Sequence, residues 1–152
     1  MEKLNFDPYP IPLKNRENKR YIFDIIRKKD LVFTPEEWVR QHCIHYLIHE
    51  KKYPIGLINV EKKIELFGVT KRYDIVVYDR QGQVELLVEC KAPTIPIDQK
   101  VFDQIAQYNL RLNSRYLMVS NGLQHIFCQL NYAQASYRFL ETLPQYRRTQ
   151  WK

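Results

Sequence analysis

The first clear pattern along the chain is a helical spacing of apolar residues that starts after Phe33. Thr34 is suited to the N-cap, Pro35 to the first helical position, and Glu37 completes a capping box with Thr34. The pattern predicts a helix that runs to about Glu50, with one side facing the core. The apolar positions at this spacing are Val39, Cys43, Tyr46 and Leu47.

From Ile55 onward the apolar residues recur with a period of two, which is typical of strands. Ile64 and Leu66 alternate with the charged residues Lys63 and Glu65. Two further strands are predicted, from Arg72 to Asp79 and from Val84 to Cys90, around a turn that contains Gly82. Three strands therefore follow the first helix in succession.

The last predicted elements are a second helix and a hairpin. The helix begins near Asp98, and a strand over 115–120 leads through the hairpin turn Asn121-Gly122 to a returning strand over 123–130. The order of helix, three strands, helix and two strands predicts an α/β domain in which helices flank a mixed sheet. The apolar positions of the second helix are Val101, Ile105, Tyr108 and Leu112.

The N-terminal part of the chain differs from the middle in composition. Alternating Pro8, Pro10 and Pro12 remove backbone donors and predict an extended arm that lies on the domain or on a partner. We therefore divide the chain into an arm with a basic segment, residues 1–30, and a single domain with a basic tail, residues 31–152.

Composition narrows the class of protein. A length of 152 residues fits one domain, and 45% hydrophobic residues exclude a largely disordered chain. No apolar run long enough to span a bilayer and no signal peptide is visible, so we expect a cytoplasmic protein without a membrane partner. The three cysteines lie in apolar neighbourhoods without paired spacing, and we expect neither a disulfide nor a zinc finger.

The charge of the chain favours a polyanionic partner. Lys and Arg total 24 against 17 Asp and Glu, which gives a net charge of +7. Part of the excess lies between Lys14 and Asp30, and more lies in the tail at Arg147, Arg148 and Lys152. The residues that we select as candidate nucleic-acid contacts are Lys28, Lys29 and Arg72, although a solvated basic surface would have the same composition.

The strands before and after Gly82 carry the candidate chemistry. A two- or four-residue loop would pair positions whose numbers sum to about 163, which sets Asp74 opposite Glu89. Opposed carboxylates repel unless a proton or a cation lies between them, and a pair of oxygen ligands suits Mg²⁺ or Mn²⁺. Lys91 projects from the same face as Glu89 and could assist an attacking water. Salt bridges on a solvated strand face are the alternative interpretation.

These residues resemble the signature of the PD-(D/E)xK nuclease superfamily. Asp74 and the run Glu89-Cys90-Lys91 take the places of the signature, with Tyr73 where the family name has proline. The resemblance implies a restriction-endonuclease-like core of order αβββαβ plus an extra strand. It also makes Glu37 a candidate accessory acid of the metal site, although its capping role is a sufficient explanation.

A narrower resemblance is to the N-terminal endonuclease domain of type I restriction enzyme R subunits. Asp74, the run VECKAP over 88–93, and Gln104 and Tyr108 at helical spacing carry it, within roughly residues 30–130. The resemblance implies a Mg²⁺- or Mn²⁺-dependent endonuclease that acts on DNA. In that interpretation Asp74 and Glu89 hold the metal, and Gln104 and Tyr108 contact substrate phosphate or organise the site.

The resemblance also raises the question of partners, because family R subunits carry an ATPase motor and this sequence has no GxxxxGK[ST] phosphate loop. The nuclease module then acts alone, as a homodimer, or with a separate motor or specificity subunit. Two alternatives remain open at this point. One is a noncatalytic module that binds nucleic acid or assembles a complex, and the other is an enzyme that acts on RNA.

Four histidines are not explained by the nuclease signature. His42, His45 and His49 fall on one side of the first helix, a spacing that could bind a transition metal, but no HExxH motif accompanies them. Mutual support or exposure to solvent is the simpler interpretation. We interpret His125 as a packing residue on its strand.

Overall fold

The architecture is taken from a computed structural model that describes residues 2–66 and 68–146. Within those residues two helices and nine strands form, and the strands make a three-stranded and a six-stranded sheet. The elements are β1 (Leu13–Arg16), β2 (Lys19–Asp24), β3 (Lys29–Val32), α1 (Pro35–His49), β4 (Ile58–Leu66), β5 (Val69–Tyr78), β6 (Val84–Cys90), α2 (Gln99–Asn109), β7 (Tyr116–Ser120), β8 (His125–Asn131) and β9 (Ser136–Leu140).

The six-stranded sheet follows chain order from β4 to β9. Strands β6 and β7 are parallel, and every other neighbouring pair in this sheet is antiparallel. Helix α2 makes the crossover that a parallel pair requires. The predicted α/β class with a mixed sheet flanked by helices is confirmed, and the architecture is consistent with a restriction-endonuclease-like core.

Each face of this sheet packs against one helix. Helix α1 covers one face, where Cys43 and Leu47 join Ile75 and Val88 in one cluster. Helix α2 covers the other face through a second cluster. Strand β6 lies between both layers, and its residues from Glu85 to Cys90 are all buried. The polar residue Glu89 is therefore held on one of the most rigid elements of the domain.

Helix α1 begins as predicted, but it is buried more completely than its apolar stripe suggests. The N–H of Glu37 donates to Thr34 Oγ1 at 3.0 Å, which is one half of a capping box. The Glu37 side chain does not return to Thr34, because it bonds within the helix to Gln41 at 3.0 Å. Capping therefore uses only the backbone N–H of Glu37, and its carboxylate is available for other contacts.

Helix α2 begins where the sequence predicts, because Asp98 Oδ1 accepts the N–H of Val101 at 2.8 Å. Its most buried positions are Phe102, Ala106 and Asn109. The predicted stripe of Val101, Ile105, Tyr108 and Leu112 is only half-buried. Ile105, Tyr108 and Leu112 of this stripe pack against the cluster that contains Phe102 and Ala106, so they flank the buried centre of the helix.

The basic N-terminal segment forms a three-stranded antiparallel sheet that the charge pattern did not predict. Its first turn contains Glu17 and Asn18 with φ of 52° and 65°, as a tight hairpin requires. In its second turn Asp24 is fully buried, and Asp24 Oδ1 accepts the N–H groups of Ile26 and Arg27 at 2.8 and 3.0 Å. Asp24 Oδ2 also accepts from Arg27 Nε at 2.8 Å, so the turn fixes Arg27 directly before Lys28 and Lys29.

The proline-containing arm lies on the domain. Asn5 donates its N–H to the Gly122 carbonyl at 2.7 Å, and its own carbonyl lies 2.7 Å from His125 Nε2. Because a carbonyl only accepts, His125 donates from Nε2, so its role is a tether for the arm as well as packing. Leu4 is buried against the turn before β8.

The histidines of α1 lie beneath this arm. His42 and His45 are buried, whereas His49 is exposed. The ring of Tyr9 stacks on His45 and on His49, with centroids 5.7 Å apart in both pairs. His45 Nδ1 and His49 Nε2 lie 3.3 Å apart. Burial and the two neighbouring histidines lower the pKa of His45 to about 4, so its ring is neutral at pH 7.

One substitution in the turn between β7 and β8 is expected to lower stability strongly. Gly122 has φ of 88°, and a Cβ there would lie 2.8 Å from Leu4 Cδ2. Gly82 has φ of 82° but no atom within 4 Å of the same position. Gly122→Ala should therefore lower the free energy of unfolding by about 1 to 3 kcal/mol more than Gly82→Ala, as measured by urea unfolding. Equal losses in the two variants would show that the arm does not pack on this turn.

Two further observations complete the description of the fold. Among the described residues, no helix has the length and apolar character needed to cross a membrane. Strand β9 extends the sheet within the segment that had no sequence assignment. The basic tail residues Arg147, Arg148 and Lys152 lie outside the described residues.

Candidate active site

The β5–β6 hairpin has the register predicted from the sequence. Ile75 pairs with Val88 and Val77 with Leu86, so the paired numbers sum to 163. The loop itself has an odd number of residues rather than the two or four that we assumed, because the N–H of Asp79 bonds to the carbonyl of Gln83 and leaves three residues between them. An irregularity after Val77 shifts the pairing by one residue and restores the predicted register.

Asp74 lies where the regular pairing of β5 with β6 ends. The N–H of Cys90 donates to Asp74 Oδ2 at 2.7 Å, so a side-chain carboxylate takes the place of a ladder carbonyl. The alternation of β5 side chains between the two sides of the sheet is also interrupted at Asp74. Tyr73 belongs to the cluster beneath α2, although strict alternation would place it with Ile75 and Val77 beneath α1. Asp74 therefore occupies a gap between the strands.

The surroundings of Asp74 favour its protonated form. Burial raises the pKa of Asp74 to about 6, and the N–H of Cys90 opposes this rise. The negative charge of Glu89 raises the pKa further, whereas the Arg40 guanidinium lowers it. The regular pairing ends at Ile75 and Val88, so the predicted direct opposition of Asp74 and Glu89 is not part of the ladder.

Glu89 is buried and is paired with a lysine that the sequence analysis did not select. Lys71 Nζ lies 2.7 Å from Glu89 Oε1. The same ammonium lies 4.7 Å from the ring centroid of Tyr73 and 4.5 Å from that of Tyr108. The change of face at Asp74 explains the omission, because strict alternation would place Lys71 and Glu89 on opposite sides of the sheet.

Lys91 follows directly after the last residue of β6. Its N–H donates to the Ser120 carbonyl at 2.8 Å, so β7 fixes its backbone. The side chain is half-buried, and strand alternation places it on the side of Glu89. Within residues 2–66 and 68–146 no ion pair of 4.0 Å or less involves the Lys91 ammonium. Its charge is therefore available to a substrate.

A buried arginine on α1 pairs with three acidic side chains, and no sequence pattern marks it as part of the site. Arg40 pairs with Glu37 at 3.1 Å, contacts Glu61, and lies 3.9 Å from Asp74 Oδ1. Burial lowers the pKa of Arg40, but the charges and hydrogen bonds of these carboxylates raise it above its ordinary value. Arg40 thus links Glu37 to Asp74, a position that is compatible with the predicted accessory role of Glu37.

Gln104 and Tyr108 lie side by side on α2. Both line a surface cleft of about 640 Å³, where Gln104 is exposed and Tyr108 is half-buried. Tyr108 reaches the carboxylates through Lys71, whose ammonium lies between its ring and Glu89. The structure therefore links Tyr108 to Glu89 through Lys71 and places Gln104 in the same surface cleft as Tyr108.

Of the candidate nucleic-acid contacts, Arg72 lies nearest to the carboxylates. Its Nη1 is 3.4 Å from Glu61, the same side chain that Arg40 contacts. Lys28 and Lys29 are exposed at the second turn of the N-terminal sheet. Arg27 in that turn is close enough to lower the pKa of Glu61.

The donor atoms at the site fit a hard divalent cation. Asp74 Oδ2 accepts the N–H of Cys90 and Glu89 Oε1 pairs with Lys71, so a cation would bind Glu89 Oε2 and Asp74 Oδ1, the latter 3.9 Å from Arg40. The described residues contain no group of three or more His, Cys, Asp or Glu side chains arranged to hold a metal. Mg²⁺ commonly binds proteins through one or two carboxylates and retains its waters, so two oxygens are sufficient.

The raised pKa of Asp74 predicts how stability changes with pH. Unfolding returns Asp74 to its ordinary pKa of 3.8, so the folded state binds the proton more tightly. The contribution of Asp74 is therefore greatest below pH 4 and is lost as the pH rises to about 6. Asp74→Asn should become more stable relative to the parent over this range, by at most about 3 kcal/mol.

This expectation is checked by urea unfolding of both proteins between pH 4 and pH 8, with a chelator present. Parallel stability curves for the parent and the variant would contradict the raised pKa. A difference that grows with pH would show that ionised Asp74 is unfavourable in the metal-free fold.

Comparison with known families assigns the chain to one of them. A family model described as type I restriction enzyme R protein N terminus matches residues 35–144. The match starts with the first residue of α1, and it includes Asp74, Glu89 and Lys91. A search of curated proteins finds no match. The chain belongs to the family of type I restriction enzyme R protein N-terminal domains.

Proposed function

We propose that this domain is a Mg²⁺- or Mn²⁺-dependent endonuclease module that hydrolyses phosphodiester bonds in DNA. The observation that carries the proposal is the position of Asp74, whose carboxylate replaces a ladder carbonyl beside Glu89 at the end of the β5–β6 pairing. Two interacting carboxylates, with Lys91 fixed directly after them, provide the groups that metal-assisted hydrolysis needs.

Each residue has a separate role in this proposal. Asp74 and Glu89 hold the cation, which supplies Lewis acidity and an acidified water when it is bound. Lys91 orients the attacking water and offsets negative charge on the phosphate in the transition state. Arg40 fixes the orientation of Asp74 and Glu37 through its ion pairs. Burial of Asp74 and Glu89 strengthens these electrostatic interactions.

The remaining residues suit contact with the substrate. Tyr108 and Gln104 line a surface cleft, and Tyr108 contacts Lys71, which with Arg72 adds positive charge near Glu89 and Glu61. The net charge of +7 favours a polyanion in this position. The family context is a multi-subunit restriction enzyme, so we propose that the module works beside motor and specificity subunits.

A nuclease assay tests this function. The full chain is incubated with supercoiled plasmid, linear duplex, single-stranded DNA and RNA, with and without Mg²⁺ or Mn²⁺. We expect cleavage of DNA that depends on the metal and disappears in Glu89→Gln. Cleavage of RNA alone would contradict the choice of substrate. Metal-dependent cleavage that persists in Glu89→Gln would contradict the assigned site.

The basic turn gives a separate prediction about binding. Replacing both Lys28 and Lys29 by Gln should weaken duplex binding and reduce the slope of log K against log salt by up to about 1.8, because each lost phosphate contact removes about 0.9. The matched control replaces Lys51 and Lys52 by Gln at the other end of α1. An equal salt slope in parent and variant would show that Lys28 and Lys29 are only solvated.

One observation favours a second candidate function, a module that binds nucleic acid without cutting it. Lys71 already lies 2.7 Å from Glu89, and Arg40 lies 3.9 Å from Asp74, so protein cations compensate both carboxylates. A noncatalytic site would need no metal. Titration with Mn²⁺ separates the two functions, because saturable binding at Asp74 and Glu89 is expected only of the nuclease.

A further inference from the structure

A small pocket lies at the start of β6, at the opposite end of that strand from Glu89. It has a volume of about 180 Å³. The side chains that define its chemistry are one carboxylate, three tyrosines and one arginine, namely Glu85, Tyr53, Tyr116, Tyr146 and Arg115. None of these residues takes part in the proposed nuclease site, so the pocket needs an explanation of its own.

The carboxylate of Glu85 is the polar centre of the pocket. Its side chain is only 8% exposed, and burial raises its pKa although Arg115 opposes the rise. Arg115 Nη1 lies 3.2 Å from Glu85 Oε1, yet no well-oriented hydrogen bond reaches this oxygen within the described part of the chain. Because Arg115 is 49% exposed, solvent screens the pair. A buried acceptor of this kind favours an additional N–H donor.

The aromatic walls of the pocket are held in place by backbone contacts. Tyr53 is buried, and its ring centroid lies 5.6 Å from that of Tyr146. The N–H of Tyr146 donates to the Lys51 carbonyl at 2.7 Å, and Gln145 Nε2 donates to the Glu50 carbonyl at 3.1 Å. The pocket is thus formed before any ligand arrives, which lowers the entropic cost of binding.

We propose that this pocket binds the guanidinium group of an arginine side chain from another polypeptide. Tyrosine faces attract a cation, and a planar guanidinium can stack on them while it donates N–H groups to Glu85. The volume of 180 Å³ corresponds to about six water molecules, which accommodates the end of an arginine side chain but not a folded ligand. The site is a docking point for a basic partner chain.

Titration of the ¹⁵N-labelled, metal-free full chain tests the proposal by NMR, at constant ionic strength. Methylguanidinium should cause saturable shifts at residues 53, 85, 116 and 146. Tetramethylammonium, which has no N–H group, should bind at least about tenfold more weakly, because a charge-assisted hydrogen bond is lost. Equal affinity for both cations, or linear shifts spread over the surface, would overturn the proposal.

Two variants separate recognition from folding. Glu85→Gln should weaken methylguanidinium binding by at least about tenfold, because the neutral amide keeps the shape of the side chain but removes its charge. Arg115→Gln should strengthen binding, because it removes the resident competitor for Glu85. If Glu85→Gln alters the whole spectrum, the Arg115→Gln result alone decides, and unchanged or weaker binding there would refute the proposal.

A final comparison identifies the source of the guanidinium. The tripeptide amide acetyl-Gly-Arg-Gly should bind at least as tightly as methylguanidinium, and its Lys counterpart should bind more weakly, because an ammonium does not match the planar stacking. Binding of free arginine without binding of the peptide would exclude a partner polypeptide. Because these experiments use no metal and no DNA, their outcome is independent of the proposed nuclease activity.

Discussion

Replacing Lys91 by Met is expected to slow the cleavage step by about 10² to 10³ while leaving DNA binding and metal binding nearly unchanged. Met retains most of the aliphatic stem, so packing survives, but the charge beside Glu89 is lost. A loss of this size is typical when one preorganised electrostatic group is removed from an active site. Single-turnover cleavage with saturating enzyme and Mg²⁺ measures the effect, because binding cannot then limit the rate.

The matched control is Lys51→Met. Lys51 is also half-buried, but it lies beyond the end of α1, where its ammonium faces the Tyr46 ring at 5.8 Å. This variant should cleave at the parental rate. If Lys91→Met also cleaves at the parental rate, Lys91 is a surface lysine and the proposed mechanism loses its transition-state stabiliser.

Replacing Asp74 by Asn is expected to weaken Mn²⁺ binding by at least about 100-fold, because only two protein carboxylates are assigned to the cation. Loss of groups that merely orient metal ligands already costs about 10- to 100-fold in affinity. The fold should survive, since an Asn oxygen can still accept the N–H of Cys90. Isothermal calorimetry with Mn²⁺, together with circular dichroism of the same samples, measures both properties.

Glu65→Gln is the control for this experiment. Glu65 is an exposed carboxylate on β4, and its replacement by Gln removes the same unit of charge. It should bind Mn²⁺ as the parent does. If Asp74→Asn and Glu65→Gln lower the affinity equally, the ion responds to the overall charge of the protein and no shared site exists. If neither variant changes a measurable affinity, the cation binds elsewhere.

Much of the fold could be predicted because its helices and strands have strong local signals. The pleat of a strand has a period of two, so the alternation on both sides of Gly82 was enough to place Ile75 opposite Val88. The cap at Thr34 and the hairpin at Gly122 have specific side-chain or backbone requirements, and the structure contains both. Gly122 itself takes the first central position of that turn, because Asn121 and Gln124 are the residues that close it.

The features that the sequence analysis did not predict depend on departures from regular geometry or on contacts between distant segments. Lys71 reaches Glu89 only because β5 changes faces at Asp74, and no local pattern marks that change. Arg40 lies on a helix whose outer side is covered, so a residue that would ordinarily be solvated is buried among acids. The short strands β1 to β3 were not predicted, because their basic residues obscure the alternation of apolar and polar positions that is typical of a strand.

The tether between the arm and the turn before β8 has a consequence for the order of folding during synthesis. The Asn5 carbonyl and His125 Nε2 are separated by 120 positions in the sequence. The 120 residues that follow Asn5 must therefore leave the ribosome before this contact can form. Until then the buried histidines of α1 stay open to solvent and to chaperones, and contacts across such a large separation form slowly. The arm is thus among the last segments of the described domain to dock.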